Sequence, residues 1–222
     1  MTKKTIIACG SIKTELEYIK RVYDADVKLI FMPQDFHRTP QKMAAMLQHN
    51  IDKEAEKAQQ IVLGYGLCSN GTAGLEAPET GLIIPRIHDC ITMYLGSRER
   101  YKEAEKQYPG TYFLTKHWID NEFDPLGLVN NEYTERVGYD MAVEAMETEL
   151  KNYKHIAFIN TPGIEAEKYR KIAHQNAEFF NKTFIELKGD DTYFKKILTG
   201  PYDPENFVIL KHNETSNLKQ FL

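Results

Sequence analysis

The chain carries three cysteines, and each stands where an apolar, strand-like run gives way to a turn. Cys9 ends Thr5-Ile6-Ile7-Ala8 and is followed by Gly10-Ser11 and a helical pattern. Cys68 lies in Gly64-Tyr65-Gly66-Leu67-Cys68-Ser69-Asn70-Gly71, directly behind Ile61-Val62-Leu63. Cys90 closes Leu82-Ile83-Ile84-Pro85-Arg86-Ile87-His88-Asp89. Open α/β sheets bind ligands beyond the carboxyl ends of their strands, so thiols at three such ends are expected to converge on one cleft. An odd number of widely spaced cysteines without a secretory leader argues against a disulfide framework and leaves metal binding, thiol catalysis or inert burial.

The residue types favour a metal. If the strand through His88-Asp89-Cys90 alternates, His88 and Cys90 face the same side. Two cysteines with His88, or Cys9, Cys68 and Cys90 together, then make a zinc set that leaves one corner for water or a substrate thiol. Three cysteines with an open corner equally suit a [4Fe-4S] cluster holding a substrate at its unique iron. The short Cys-x-x-Cys pairs of structural zinc sites are absent, so a metal here is expected to be assembled by the fold and to be catalytic. The metal-free alternative is a Cys68 or Cys90 nucleophile activated by His88 with Asp89 as orienter; it is weakened because adjacent strand residues point opposite ways. The helix that follows Cys9 would favour its thiolate through the helix dipole.

Other candidates surround the cysteines. Arg86 shares the expected face of His88 and could clamp a carboxylate or phosphate. His37, just past the second strand, is a candidate ligand or proton donor. Gly10, Gly66, Gly71 and Asn70 are candidate cofactor contacts, because glycine-rich backbone can turn left-handed and bring N–H groups close to a ligand. Trp118, beside a polar loop, offers a stacking face over the cleft. Met43 and Met46, on one apolar helix face, read as core. The glycine spacing from Gly64 to Gly71 is not that of a phosphate loop.

The elements that must position these residues alternate. Helices are expected over 11–24, from Pro40 behind an N-cap at Thr39, over 91–107, 133–153 and 162–180, and over 191–198. Strands are expected at 5–8, 27–31, 61–63, 82–84, 111–115, 155–160, 183–187 and 207–210. That alternation predicts an α/β protein, a three-layer α-β-α arrangement with a mostly parallel sheet in two Rossmann-like halves. The first half, 1–110, would carry the Cys/His site; the second, 111–222, could pack with it into one continuous domain. The stretch 121–131, polar and containing Pro and Gly, reads as a linker or lid.

Composition narrows the function. With 222 residues and 42% hydrophobic content the chain can bury an ordinary core. Its 28 basic and 32 acidic residues leave a formal charge of −4, and no Lys/Arg block tracks a nucleic acid or an anionic membrane. No apolar run approaches transmembrane length, and a cytoplasmic protein with a small-molecule substrate is expected.

These residues resemble a family of prokaryotic proteins, domain of unknown function 1638. The resemblance covers most of the chain. It rests on Ala8-Cys9-Gly10, the 33–40 segment with His37, Tyr65-Gly66-Leu67-Cys68-Ser69-Asn70-Gly71, Pro85-Arg86-Ile87-His88-Asp89-Cys90-Ile91 through Leu95-Gly96-Ser97, Thr111-Tyr112-Phe113-Leu114-Thr115 and Leu198-Thr199-Gly200. Ser69 stands where the family pattern has glycine, and Lys116-His117 where a glycine usually precedes Trp118. Members often accompany corrinoid-dependent methylamine methyltransferases. The resemblance therefore implies a setting in anaerobic one-carbon metabolism, with a corrinoid cofactor, a corrinoid protein or a methyltransferase as the expected partner. Two functions follow as expectations: a metal-dependent enzyme, most concretely a zinc-dependent methyl or alkyl transferase, or a non-catalytic protein that binds a metal or corrinoid cofactor for delivery.

Overall fold

A computed structural model of the chain describes residues 3–33 and 40–221, apart from the side chains of Pro40 and Gln41. His37 and the helix cap expected at Thr39 lie outside the described residues. The chain forms two compact units, one made of 1–96 with 191–222 and the other of 97–190.

The first unit begins with β1 (Thr5–Cys9), a 3-10 turn (Gly10–Ile12) and α1 (Lys13–Val22). It continues through β2 (Lys28–Met32), α2 (Pro40–Ala55), β3 (Ile61–Gly64), β4 (Leu82–Pro85) and α3 (Cys90–Leu95). In the second unit stand α4 (Arg98–Gln107), β5 (Thr111–Leu114), α5 (Lys116–Asp120), α6 (Pro125–Leu128), a π-helical turn (Val129–Tyr133), α7 (Thr134–Val137) and α8 (Tyr139–Glu149). A 3-10 turn (Leu150–Asn152), β6 (His155–Asn160), α9 (Ala166–Phe179) and β7 (Thr183–Lys188) complete it. The chain then returns to the first unit with α10 (Thr192–Thr199), β8 (Phe207–Leu210) and a last 3-10 turn (Leu218–Gln220).

The first unit is a five-stranded sheet in the order β2-β1-β3-β4-β8. The first four strands run parallel, and β8 closes the edge antiparallel to β4, with Leu82 opposite Leu210 and Pro85 opposite Phe207. Every residue of β1, β3 and β4 is buried, as strands covered on both faces must be. The crossover through α1 moves outward from β1 to β2, whereas the one through α2 passes back across β1 to β3. Right-handed crossovers in opposite directions put their helices on opposite faces of the sheet. In keeping with this, α2 packs on β1 and β3, while α1 packs with α10 and α10 with α3. The direction reverses between β1 and β3, which is the switch point where open sheets of this kind open a crevice at their carboxyl ends.

The second unit is a parallel sheet in the order β5-β6-β7. Leu114, Ile156, Phe158, Tyr169, Ala173 and Ala177 form its core beneath α9. Mostly parallel sheets flanked by helices in two units are the expected α/β class.

The boundaries differ from the expected halves, 1–110 and 111–222. Helix α4 belongs with the second sheet, Tyr101 lying 6.3 Å from Phe113 between ring centres. The C-terminal segment returns to the first sheet because β8 pairs with β4. The single helix expected over 91–107 is two helices: Gly96 ends α3 in the left-handed region at φ 88°, and the Ser97 hydroxyl accepts from Arg100 N–H to start α4. The expected linker at 121–131 is largely helical, with Asp124 capping α6 and Leu128 and Val129 buried.

Candidate metal centre

Two of the three cysteines flank the switch point. Ala8 pairs with Gly64 in the ladder between β1 and β3, so the next residues along, Cys9 and Tyr65, leave the sheet side by side. Alternation carries Ile7 and Cys9 of β1 and Leu63 and Tyr65 beside them into the cluster under α2, together with Met32, Met43, Leu67 and Cys68. Cys9, Tyr65 and Cys68 are thereby buried in one apolar neighbourhood.

The turn that delivers Cys68 is strained. Left-handed backbone was expected at the glycines, yet it falls on three consecutive non-glycine residues, Cys68 at φ 45°, Ser69 at 55° and Asn70 at 68°. Such a conformation persists only where the surroundings over-determine it. Here Leu67 and Cys68 N–H donate to the Ile87 and His88 carbonyls, both at 2.9 Å, and Gly71 N–H donates to the Cys68 carbonyl at 3.0 Å. The Thr72 hydroxyl donates to the Gly66 carbonyl at 2.9 Å, and the Ser216 hydroxyl to the Thr72 carbonyl at 2.6 Å. These bonds tie the cysteine turn to the segment preceding Cys90 on one side and to the C-terminal segment on the other. Ser69→Gly is expected to stabilise the protein by roughly 0.5–1 kcal/mol in urea unfolding, the left-handed penalty outweighing the added freedom of the unfolded chain. A loss of stability on this change would mean the turn is not strained at Ser69.

The glycines of the turn serve packing. A Cβ on Gly66 would stand 2.7 Å from both the Ile87 side chain and its carbonyl oxygen, and one on Gly71 would stand 2.4 Å from the Met43 sulfur. The space at these two cofactor candidates is thus filled by the protein itself. Gly10 opens the 3-10 turn behind Cys9, and Asn70 is exposed at the tip of the strained turn.

Cys90 arrives by a different route from the one expected. β4 ends at Pro85, and Arg86 to Asp89 turn away from the sheet, so Cys90 is the first residue of α3 and does not share a strand face with His88. Asp89 caps that helix, its Oδ1 accepting from Ile91 N–H at 3.0 Å, while its Oδ2 stands 3.2 Å from His88 Nδ1. Asp89 does hold the imidazole, which the strand geometry had disfavoured; the departure from strand geometry permits it. The His88 side chain is 75% exposed, and this pair lies at the surface. Arg86 is turned to the loop before β8, its Nη1 donating to the Pro204 carbonyl at 3.2 Å. Trp118 belongs to the second unit, where it packs edge-on against Phe123 at 5.9 Å.

Electrostatics joins the three thiols. Burial pushes each of them above the ordinary thiol range. The charge of Cys9 and of Asp89 adds to this at Cys68, and the charges of Cys68, Asp89 and Cys9 add to it at Cys90. A nucleophilic cysteine needs a neighbour that lowers its pKa, whereas the charges acting most strongly here are negative. Among the described residues no group of three or more His, Cys, Asp or Glu side chains is arranged to hold a metal ion.

Two residues were not anticipated. The Cys9 sulfur caps the 3-10 turn, accepting from Ser11 Oγ at 3.1 Å and Ser11 N–H at 3.5 Å, and the buried Tyr65 is brought beside Cys9 by the register of β3 on β1. Burial, with the charges of Cys9, Cys68 and Cys90 adding to it, raises the Tyr65 hydroxyl well above the ordinary phenol range and holds it neutral. Tyr65 was legible as a residue of the same strand face as Leu63, but only the register with β1 places it against Cys9. The hydroxyl of Tyr94 in α3, donating to the Ser11 carbonyl at 2.6 Å, ties the Cys90 helix to the turn after Cys9.

Residues 31–198 match the model of a family described as protein of unknown function (DUF1638), a span that contains Tyr65, Cys68 and Cys90. No curated protein and no solved structure matches the chain. Among the described residues no helix is long and apolar enough to cross a membrane.

Proposed function

We propose that this chain, which belongs to the DUF1638 family, is a metal-dependent enzyme whose Cys9, Cys68 and Cys90 hold a thiophilic cation at the switch point of the first sheet, most concretely for zinc-dependent transfer of a methyl or alkyl group to a thiol. What supports the reading is that Cys9 and Cys68 lie buried in one cluster beside the switch point of the sheet, and that Cys90 opens the helix directly after the segment bonded to the Cys68 turn. A bound zinc would supply a Lewis acid and a positive charge that keeps a substrate thiol ionised at neutral pH.

The chain's own residues supply the rest. Cys9, Cys68 and Cys90 contribute the anionic donors, and the apolar side chains around Cys9 and Cys68 exclude water from them. The substrate thiol releases its proton to solvent; its sulfur forms a bond to the methyl carbon as the bond from that carbon to the donor breaks, the electron pair leaving with the donor. A methylated corrinoid is the donor that the family setting implies. His88, exposed beside Asp89, would relay that proton to solvent. The low-dielectric surroundings of Cys9 and Cys68 also favour a second reading, a [4Fe-4S] cluster with an open iron, since burial is one of the levers that set such clusters.

Anaerobic purification followed by elemental analysis and a visible spectrum separates the readings. About one zinc per chain, with product formed from a panel of thiols and methyl donors, is the expected result. A broad visible band that bleaches on reduction would shift the assignment to iron and sulfur. Tight cofactor binding without product would make the protein a carrier, and absence of any metal under these conditions would end the proposal.

A further inference from the structure

The first sheet has an open edge. β2 stands at one end of the order β2-β1-β3-β4-β8, and among the described residues no strand pairs with its outer side. Bare edges invite a further strand, and proteins commonly guard them with a lysine, a proline or a bulge. Here the guards stand only at the two ends of the strand. The Lys28 ammonium is drawn off to Glu54 Oε2 at 2.6 Å, and Pro33 lies just past Met32. Between them Leu29, Ile30 and Phe31 are apolar and half-buried. Leu29 and Phe31 floor a groove of about 470 Å³ walled by α1, while Ile30 packs on the opposite face against the cluster under α2.

We propose that β2 pairs antiparallel with β2 of a second copy of this chain, about a two-fold axis at Ile30, joining two five-stranded sheets into one. The proposal is independent of the metal reading. Backbone directions fix the register. Lys28 N–H donates to the Lys4 carbonyl at 3.0 Å, so alternation turns the N–H and C=O groups of Lys28, Ile30 and Met32 towards β1 and those of Leu29 and Phe31 outward. With the axis at Ile30, Leu29 exchanges both of its free hydrogen bonds with Phe31 of the partner subunit, and Phe31 does the same with the partner's Leu29. An axis at Leu29 would call on the Val27 N–H, which already donates to the Ala25 carbonyl at 3.0 Å. An axis at Phe31 would call on an N–H that Pro33 does not have.

Charge selects the same axis. The Lys13 ammonium lies 5.7 Å from the centre of the Phe31 ring, and Glu17, one helical turn further along α1, lines the groove with Leu29. One turn of helix and two residues of strand both advance about 6 Å. The axis that sets Leu29 against the partner's Phe31 therefore also sets Glu17 against the partner's Lys13, on both sides of the interface.

Sedimentation of the full chain over graded concentrations tests this, and the wild type is expected to be a dimer. Leu29→Lys places a charge opposite the partner's Phe31 and leaves the ladder with β1 intact; it is expected to give monomers with the circular dichroism of the wild type. The Lys13 and Glu17 side chains are each 54% exposed, so reversing either charge spares the fold. Lys13→Glu and Glu17→Lys each put like charges together across the axis, and each should weaken self-association roughly tenfold. Mixed with one another, the two variants should regain wild-type affinity as a heterodimer, because every charge then meets its opposite. A monomeric wild type would overturn the proposal. So would a dimer that persists in Leu29→Lys, or one in which Lys13→Glu shows no preference for Glu17→Lys over itself.

Discussion

Cys68→Ser is expected to strip the metal from the protein while leaving it folded. The substitution swaps sulfur for oxygen at nearly constant volume, so the turn at φ 45° and its bonds to His88 and Gly71 have no steric reason to change. Cost to the fold comes from placing a hydroxyl in an apolar site, about 1–3 kcal/mol. Loss of zinc affinity should be larger than the roughly 10–100-fold that follows loss of an outer-shell contact, because a ligand itself is removed. Zinc per chain after dialysis against a chelator measures this directly, with circular dichroism to confirm the fold. Cys90→Ser should behave alike, although Cys90 reaches the site from a helix terminus and not from the strained turn. Retention of full zinc by both variants would remove these cysteines from the site.

The second large effect concerns the ladder that brings Cys9 and Tyr65 together. A Cβ at Gly64 would stand 2.5 Å from the Ala8 Cβ, 3.1 Å from the Ala8 Cα and 3.2 Å from Ile12 Cδ1. Two of those atoms are the Cα and Cβ of Ala8 in the neighbouring strand β1, which cannot swing aside as a long side chain would. Gly64→Ala is therefore expected to cost about 3 kcal/mol in urea unfolding, at the upper end of ordinary overpacking. It should also weaken metal binding, because pushing β3 off β1 moves Tyr65 and the Cys68 turn away from Cys9. Stability within about 0.5 kcal/mol of the wild type, the range of a neutral surface change, would show that the strands do not meet as closely at the switch point as the structure has them.

Much of this architecture can be read from sequence because its signals are local. The continuous apolar runs at Ile6-Ile7-Ala8, Ile61-Val62-Leu63 and Leu82-Ile83-Ile84 mark buried parallel strands, and each is a strand in the structure. The positions of Cys9 and Cys68 beyond two of those runs placed them at one sheet edge, and β1 and β3 are neighbours. What failed was decided over longer distances. No local pattern shows that β8 will return to β4 across the whole second unit, so the boundary between units could not be placed. The run from Leu82 to Asp89 reads as one strand until the carbonyls of Ile87 and His88 are needed by Leu67 and Cys68, and that demand bends the chain after Pro85. His88 is consequently displaced to the surface with Asp89, while the register of β3 on β1 sets Tyr65 beside Cys9.

X-ray absorption at the zinc edge of the anaerobically loaded protein shows directly whether sulfur surrounds one metal. A first shell of three sulfurs at about 2.3 Å and one lighter atom at about 2.0 Å is expected, with one sulfur lost in Cys68→Ser. A first shell made of nitrogen and oxygen, or holding a single sulfur, would contradict it.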